Sequence, residues 1–494
     1  MIAMALACQP ELLIADEPTT ALDVTVQAQI MELLARLRRE RGTAVLLITH
    51  NLALVREQAD SVAVMYAGSI VEHAPSAELF AHPTHPYTRL LLRAIPSTAK
   101  RDTSLAVIDG QVPAPSVRLP GCRFAPRCPL AKQECLGGPP ALSKFAPGHY
   151  VACRRISSTL PNSIGTPHAP TAEVTESPLL VVRGLKVHFP VKKGWFAQHE
   201  YVHAVDGVDL ELRRGETLAL VGESGCGKTT VGKALIRLFS PTAGQILLGD
   251  TDLAQLPPRR LKPLRRRIQM IFQDPFSSLD PRLMVGESIA EGMDAFALHR
   301  QDRQKALCAL LQQVGLPNDS LTRYPHQFSG GQRQRIGLAR ALAVSPEILV
   351  CDECTSALDE SVQAQILNLL RRLQRELGLA YLFITHDLAV VSYLANRIAV
   401  MYLGRIVEQG PCQEVISAPL HPYTRALISA APRIDGQSDG KLRLAGEIPS
   451  PIHPPSGCPF HPRCPLATAR CANELPPMSH GEHQVACHFP LAKS

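Results

Sequence analysis

Aromatic side chains make up only 5% of this 494-residue sequence, and tryptophan occurs once. No stretch approaches the roughly 18 apolar residues that a bilayer-spanning helix needs. The apolar runs, such as Ala44 to Ile48 and Ser61 to Val64, have the length of strands. Neither sign of charge dominates: 51 basic against 44 acidic side chains leave +7. That balance reads as a mixed, solvated surface and does not point to nucleic acid or anionic lipid. The start, Met1 to Cys8, lacks a basic leader and its apolar run is short, so no export signal is expected and the chain reads as cytosolic. Hydrophobic residues at 45% exclude disorder and fit α/β domains large enough to bury cores.

What the chain does have is a repeat. Asp16, His50, Tyr87 and Cys135 return as Asp352, His386, Tyr423 and Cys471, a constant offset of 336. In that register Met1 falls opposite Gly337, so the first copy is expected to start in mid-domain, with Met1 to Cys8 the stump of a helix. Leu12 to Asp16 and Ala44 to Thr49 read as buried strands, with a helix from Val26 to Arg39 between them. Strands alternating with helices predict a parallel sheet covered on both faces. Residues 156–177 read as a linker.

The chemistry sits in the second copy. Gly222-Glu223-Ser224-Gly225-Cys226-Gly227-Lys228-Thr229 follows the apolar strand Leu218 to Val221 and opens a helix that continues with Thr230. Glycines at these places let backbone N–H groups wrap phosphates at a positive helix end, with Lys228 as point charge and Thr229 as a magnesium ligand. Ile348 to Asp352, followed by Glu353, adds a strand ending in two acids, one for the magnesium shell and one to polarise a water. Phe328-Ser329-Gly330-Gly331-Gln332 precedes a helix rich in Arg and Ala.

In that order and spacing the series resembles an ATP-binding-cassette (ABC) ATPase, an α/β P-loop fold of RecA-like type with a helical subdomain. The resemblance implies Glu353 and His386 as catalytic residues, and ATP and Mg²⁺ as ligands. It adds Gln273 to the magnesium site beside Thr229 and Asp352, and Phe189 as the aromatic on adenine. Ser329 to Gln332 become the signature that meets ATP on a second unit, and Asp359 the inter-subunit loop. Asp16, Glu17, Asp23 and His50 are then the remnant of a first site. Cys354 stands where the family usually has proline, as at Pro18, so a change in loop stiffness is expected.

Gln273 to Pro281 together with His85-Pro86-Tyr87-Thr88-Arg89 and His421-Pro422-Tyr423-Thr424-Arg425 resemble the ATPase subunits of bacterial di- and oligopeptide importers, a group shared with nickel and glutathione importers. This implies permease subunits, a second ATPase unit and, indirectly, a solute-binding protein as partners. It places the chain on the cytoplasmic side of the bacterial inner membrane, with no nucleic acid. The expected division is a partial ATPase domain (1–95), a cysteine-rich tail (96–155), the linker (156–177), a complete ATPase domain (178–432) and a second tail (433–494).

Each tail carries four cysteines: Cys122, Cys128, Cys135 and Cys153, then Cys458, Cys464, Cys471 and Cys487. The first two gaps are 5 and 6 residues in both, the last 17 against 15. Four thiolates suit a [4Fe–4S] cluster or zinc, or they are packing cysteines. The resemblance favours the cluster. His149, His453 and His461 nearby are expected at the surface. Two other readings are open: a non-catalytic, truncated remnant, and a soluble ABC protein acting on ribosomes or DNA.

Overall fold

The computed structural model describes residues 2–19, 22–114, 116–156, 160, 174–191, 200–274, 278–299, 301–356, 358–432 and 446–492. Most of the expected linker and the front of the second tail (433–445) lie outside these residues, as does Ala357 beside Asp359.

In the first copy a short helix, Ile2–Leu6, precedes β1 (Leu12–Asp16), α1 (Val24–Arg41) and β2 (Ala44–Ile48). The Asp23 carboxylate caps α1 by accepting from Val26 N, and Gly42 closes it in the left-handed conformation. β1 and β2 pair in parallel. Next come β3 (Ser61–Tyr66), β4 (Ser69–Pro75), α2 (Pro86–Ala94), β5 (Ser143–Ala146) and β6 (His149–Val151). These four strands form a separate antiparallel sheet in the order β3-β4-β6-β5.

The second copy runs β7 (Pro178–Val191), β8 (Glu200–Arg213), β9 (Thr217–Val221), α3 (Lys228–Leu235), β10 (Ala243–Leu248), β11 (Thr251–Asp252) and β12 (Ile268–Ile271). It continues with α4 (Val285–Ala295), α5 (Arg303–Val314), α6 (Gly330–Leu342), β13 (Ile348–Asp352), α7 (Glu360–Leu377) and β14 (Ala380–Ile384). β15 (Arg397–Tyr402), β16 (Arg405–Pro411), α8 (Pro422–Ala430) and β17 (Gln484–Val485) complete it. One sheet has the order β12-β13-β14-β9-β15-β16-β17, parallel as far as β15 and antiparallel beyond. Every residue of β9, β13 and β14 is buried, as a parallel sheet covered on both faces requires.

The parallel expectation needs correction in one respect. β7, β8, β10 and β11 form a second, antiparallel sheet in the order β11-β10-β7-β8. Four register shifts between β7 and β8 break the period-2 alternation that would have marked them.

The two copies differ most at equivalent strands. Val350 on β13 and Leu382 on β14 are buried, while their counterparts Ile14 and Leu46 are 60% and 51% exposed. The cause is α3, which lies so close that a Cβ on Gly232 would sit 3.0 Å from both Val350 and Ile384. No helix covers β1 and β2 in this way among the described residues.

Candidate functional site: a phosphate loop, its acids and two cysteine cages

β9 carries the chain into the loop 222–227 and α3 takes it away, with Gly227 as the N-cap. Glycine is obligatory at both ends of the loop. A Cβ on Gly222 would lie 2.1 Å from the Met401 carbonyl oxygen, and one on Gly227 2.1 Å from that of Ala204. Ser224, Gly225 and Cys226 form the turn, and Thr229 and Thr230 lie in the first turn of α3. Lys228 Nζ folds back over the loop, donating to Gly222 O at 2.8 Å and Glu223 O at 3.0 Å.

Parallel pairing brings the strand-end acids to this loop. Thr229 Oγ1 donates to Asp352 Oδ1 at 3.0 Å. Gln273 Nε2 donates to Glu353 Oε2 at 2.7 Å, and His386 Nδ1 lies 3.3 Å from Glu353 Oε1. Glu353 holds a left-handed backbone, φ 46°, a strained state for a residue with a side chain. Burial alone would raise the Glu353 pKa, but the His386 hydrogen bond and charge overcome it and hold the carboxylate low. For His386, burial lowers the pKa and the Glu353 contact outweighs it, so the ring is held above its usual value. Asp352 goes the other way: burial, with the Glu353 charge adding to it, raises its pKa despite the Thr229 bond. The loop 222–227, the Thr229–Asp352 pair and the Gln273–Glu353–His386 contacts thus share the C-terminal ends of the parallel strands. Phe189 packs edge-on to Phe239 with ring centroids 5.1 Å apart.

The structure does not bring Ser329, Gly331 and Gln332 to this loop. Ser329 caps α6 and is exposed. With Asp359 and Arg335 these residues line a broad groove, whose other wall is Asp109, Gly110 and Arg127 of the first copy. Asp359 caps α7 through Val362 N at 3.0 Å.

In the first copy Glu17 and His50 form the same dyad, 3.0 Å apart, and Glu17 repeats the left-handed backbone at φ 43°. Asp16, unlike Asp352, is exposed. Asp23, expected with them in a first site, lies elsewhere: its Oδ2 accepts from Ser224 N at 3.3 Å, in the phosphate loop of the second copy. The reason is its place as the cap of α1, which packs across the copies against α8.

The eight tail cysteines form two cages. Cys122, Cys128, Cys135 and Cys153 line one small cavity, and Cys458, Cys464, Cys471 and Cys487 another. No three thiols of either set lie within 4.8 Å of one another. Burial pushes Cys128 and Cys458 up to about 11. The histidine of each His-Pro-Tyr run lines its cage. His421 Nδ1 accepts from Tyr423 N at 3.0 Å, so Nε2 carries the proton, and that buried N–H finds no acceptor among the described residues.

His149, expected at the surface, is fully buried. Its Nε2 lies 2.8 Å from Glu72, and His483 repeats the pair with Glu408 at 2.7 Å. Each carboxylate also accepts two main-chain N–H groups just ahead of the His-Pro-Tyr helix, Thr84 and His85 or Leu420 and His421. His453 is exposed and His461 partly so. Arg463 and Thr25, which sequence reading passed over, touch Glu223 of the phosphate loop, as does Tyr423 of the second His-Pro-Tyr run. Only the 336-residue repeat marked the tails as one unit with the ATPase fold.

Among the described residues one further cluster could hold a cation: His188, His203 and Asp206. Asp206 is already paired with Lys186 and Arg405.

Known proteins share this arrangement. The profile described as ABC transporter matches residues 205–356, and that of the oligopeptide/dipeptide transporter C-terminal region matches 71–135 and 407–471. The glutathione import ATP-binding protein of Pectobacterium atrosepticum is 46% identical over 456 residues, which cover 92% of this chain and 66% of that relative. The oligopeptide transport ATP-binding protein of Mycobacterium tuberculosis is 46% identical over 444 residues, 88% of this chain and 72% of the relative. The glutathione import protein of Escherichia coli is 44% identical over 457 residues, again 66% of its length. The chain spans about two thirds of the glutathione relatives and has a P-loop NTPase fold, and it belongs to the family of ATP-binding subunits of ABC importers of the oligopeptide type.

Proposed function

We propose that this chain binds and hydrolyses Mg²⁺-ATP and thereby energises import of peptides or similar small solutes through a membrane permease. One observation carries the reading: Lys228, Thr229–Asp352 and Gln273–Glu353–His386 converge on a single phosphate loop. In this reading the loop N–H groups and Lys228 hold the phosphates. Thr229, Asp352 and Gln273 hold magnesium, and Glu353 accepts the proton of the attacking water while His386 steadies it. Gln273 lies where magnesium and permease contacts meet. Phe189 is the adenine contact. No described helix is long and apolar enough to cross a membrane, and we infer a peripheral subunit at the cytoplasmic face of the inner membrane. Its partners are permease subunits, a second ATPase unit and, through them, a solute-binding protein. Two copies of the transporter C-terminal region favour this over a ribosome- or DNA-acting ATPase.

We read the domains as 1–95, 96–155, 156–177, 178–432 and 433–494, the first a partial ATPase domain. The exposed Ile14 and Leu46 support that, and so does the groove at Ser329, Gly331 and Gln332, where a second unit's phosphate loop belongs. The two cysteine cages are read as [4Fe–4S] sites. Tetrahedral zinc, with bonds of about 2.3 Å, draws sulfurs to roughly 4 Å apart, whereas no three of these thiols lie within 4.8 Å of one another. Such a cluster would supply a rigid four-point crosslink of the tail and, if redox-active, an electron site. His421 Nε2–H is a donor suited to its sulfur. The test of the main reading is ATP binding and turnover by wild type and Glu353→Gln. Binding without turnover in wild type, reconstituted with permease, would favour the remnant reading.

A further inference from the structure

We propose that Arg463 is a positioning residue for the phosphate loop, acting through Glu223 and so tying the second cysteine cage to nucleotide affinity. The inference rests on reading residues 222–229 as the ATP site. Glu223 occupies the first variable position of the loop and is almost closed to solvent. Its carboxylate takes a two-pronged contact from Arg463: Nη1 to Oε2 at 2.7 Å and Nη2 to Oε1 at 3.1 Å. Glu223 N donates to Tyr423 Oη at 2.9 Å, and Glu223 O accepts from Lys228 Nζ at 3.0 Å. Thr25 Oγ1, from the first copy, lies 2.6 Å from both Glu223 Oε1 and Asp23 Oδ1, and its one proton serves either. One loop residue is therefore held from the tail, from the His-Pro-Tyr helix and from the other copy.

The electrostatics explain why this hold matters. A carboxylate buried in a loop that receives phosphates has the wrong sign for its ligand. Paired and doubly hydrogen-bonded to Arg463, it is neutralised and becomes an anchor. Unpaired, it is a buried charge whose cost drives rearrangement, and the nearest cation available to it is Lys228, which the phosphates need. Arg463 directly precedes Cys464 and closes the turn His461–Arg463, so the cage wall and the anchor are one piece of backbone. The repeat offers an internal comparison. Arg127 holds the same place before Cys128, yet donates to the carbonyls of Ile108 and Asp109 at 3.0 and 2.8 Å. Arg127 Nη1 also donates to Tyr66 Oη at 3.3 Å, so an arginine in this turn is satisfied without a carboxylate, and the salt bridge to Glu223 is a separate feature.

The experiment measures the Mg²⁺-ATP dissociation constant and saturated turnover of the full chain, with thermal unfolding as a folding check. Arg463→Met should weaken ATP binding on the order of tenfold while turnover at saturation changes by less than about twofold. Arg463→Lys, a point charge without the fork, should fall between. Glu223→Gln/Arg463→Met should recover most of the affinity, because the stranded charge is gone. Unaltered affinity in Arg463→Met overturns the proposal, and so does lower turnover at unaltered affinity, which marks only a smaller folded fraction. If Arg463→Met does not fold, the decision passes to Arg463→Lys, where wild-type affinity overturns it. Failure of wild type to bind Mg²⁺-ATP would instead overturn the reading of the loop itself.

Discussion

In the proposed reading Glu353 must meet two demands at once: it must stay ionised where water is scarce, and it must point at the phosphates. The His386 contact answers the first by holding the carboxylate low against its burial. The left-handed backbone, repeated at Glu17, answers the second at a cost in strain. Glu353→Gln keeps shape and hydrogen-bonding capacity but cannot take a proton. It should leave ATP binding intact and cut turnover by roughly 10²–10⁴-fold, while Lys228→Ala weakens binding itself; wild-type hydrolysis by the glutamine variant would remove Glu353 from its role. At this scale the sequence was legible wherever a residue's partner is local or its motif long. Lys228 and Thr229 stand in an eight-residue motif, and Asp352 ends an apolar strand. His149 was misjudged because its partner, Glu72, is 77 positions away. Arg463 was invisible for the same reason, with 240 positions between it and Glu223.

Elements carry the contacts between the copies. At the head of α7, Glu360 Oε1 accepts from Leu52 N at 3.0 Å. Burial, aided by the charges of Asp387 and Asp359, raises the Glu360 pKa to about 8 from 4.5. A carboxyl whose folded pKa is raised stabilises the fold below its unfolded pKa, and that contribution is lost as pH rises through the folded one. The fold should therefore lose stability between pH 4.5 and about 8. Thermal stability should fall more steeply across this window in wild type than in Glu360→Gln; equal slopes in the two would contradict it. The tails belong to this scale as well. Cys464→Ser should remove one cage's metal and spare the other, since the two sets lie in separate cavities. Protein purified without oxygen should carry about four iron and four sulfide per cage. Stoichiometric zinc would instead make the cages structural zinc sites, and eight free thiols would leave packing alone. Parallel strands such as β1 and β13 were legible as short apolar runs ending in acids, but only β13 is buried; β1, expected to be buried, is largely exposed. β7 and β8 were not, because their bulges shift the facing of side chains along the strand.

Across the whole molecule one phosphate loop and one Ser-Gly-Gly-Gln turn are present, and they do not meet. The phosphate loop touches Asp23 and Thr25 of the first copy. The turn at Ser329 opens on a groove walled by Asp109 and Arg127. A closed ATP site of the kind proposed needs both parts on one nucleotide, so the turn must come from another unit. Two chains can supply it to each other only by associating. Turnover per chain should then be low when dilute and rise steeply with protein concentration, until the dimer saturates. Adding a separate unit that carries its own phosphate loop and Ser-Gly-Gly-Gln turn should raise the rate at fixed chain concentration. Arginine in place of the serine of that unit's turn should remove only part of the gain, because the added phosphate loop can still meet Ser329 of this chain. Lys228→Ala in one chain and Ser329→Arg in another test whether sites are shared. A mixture of Lys228→Ala and Ser329→Arg chains holds one site type intact in the mixed pair and none in the Lys228→Ala pair. It should recover part of the wild-type rate if sites are shared between chains, and hydrolysis that is brisk and independent of concentration in wild type would show that a single chain suffices.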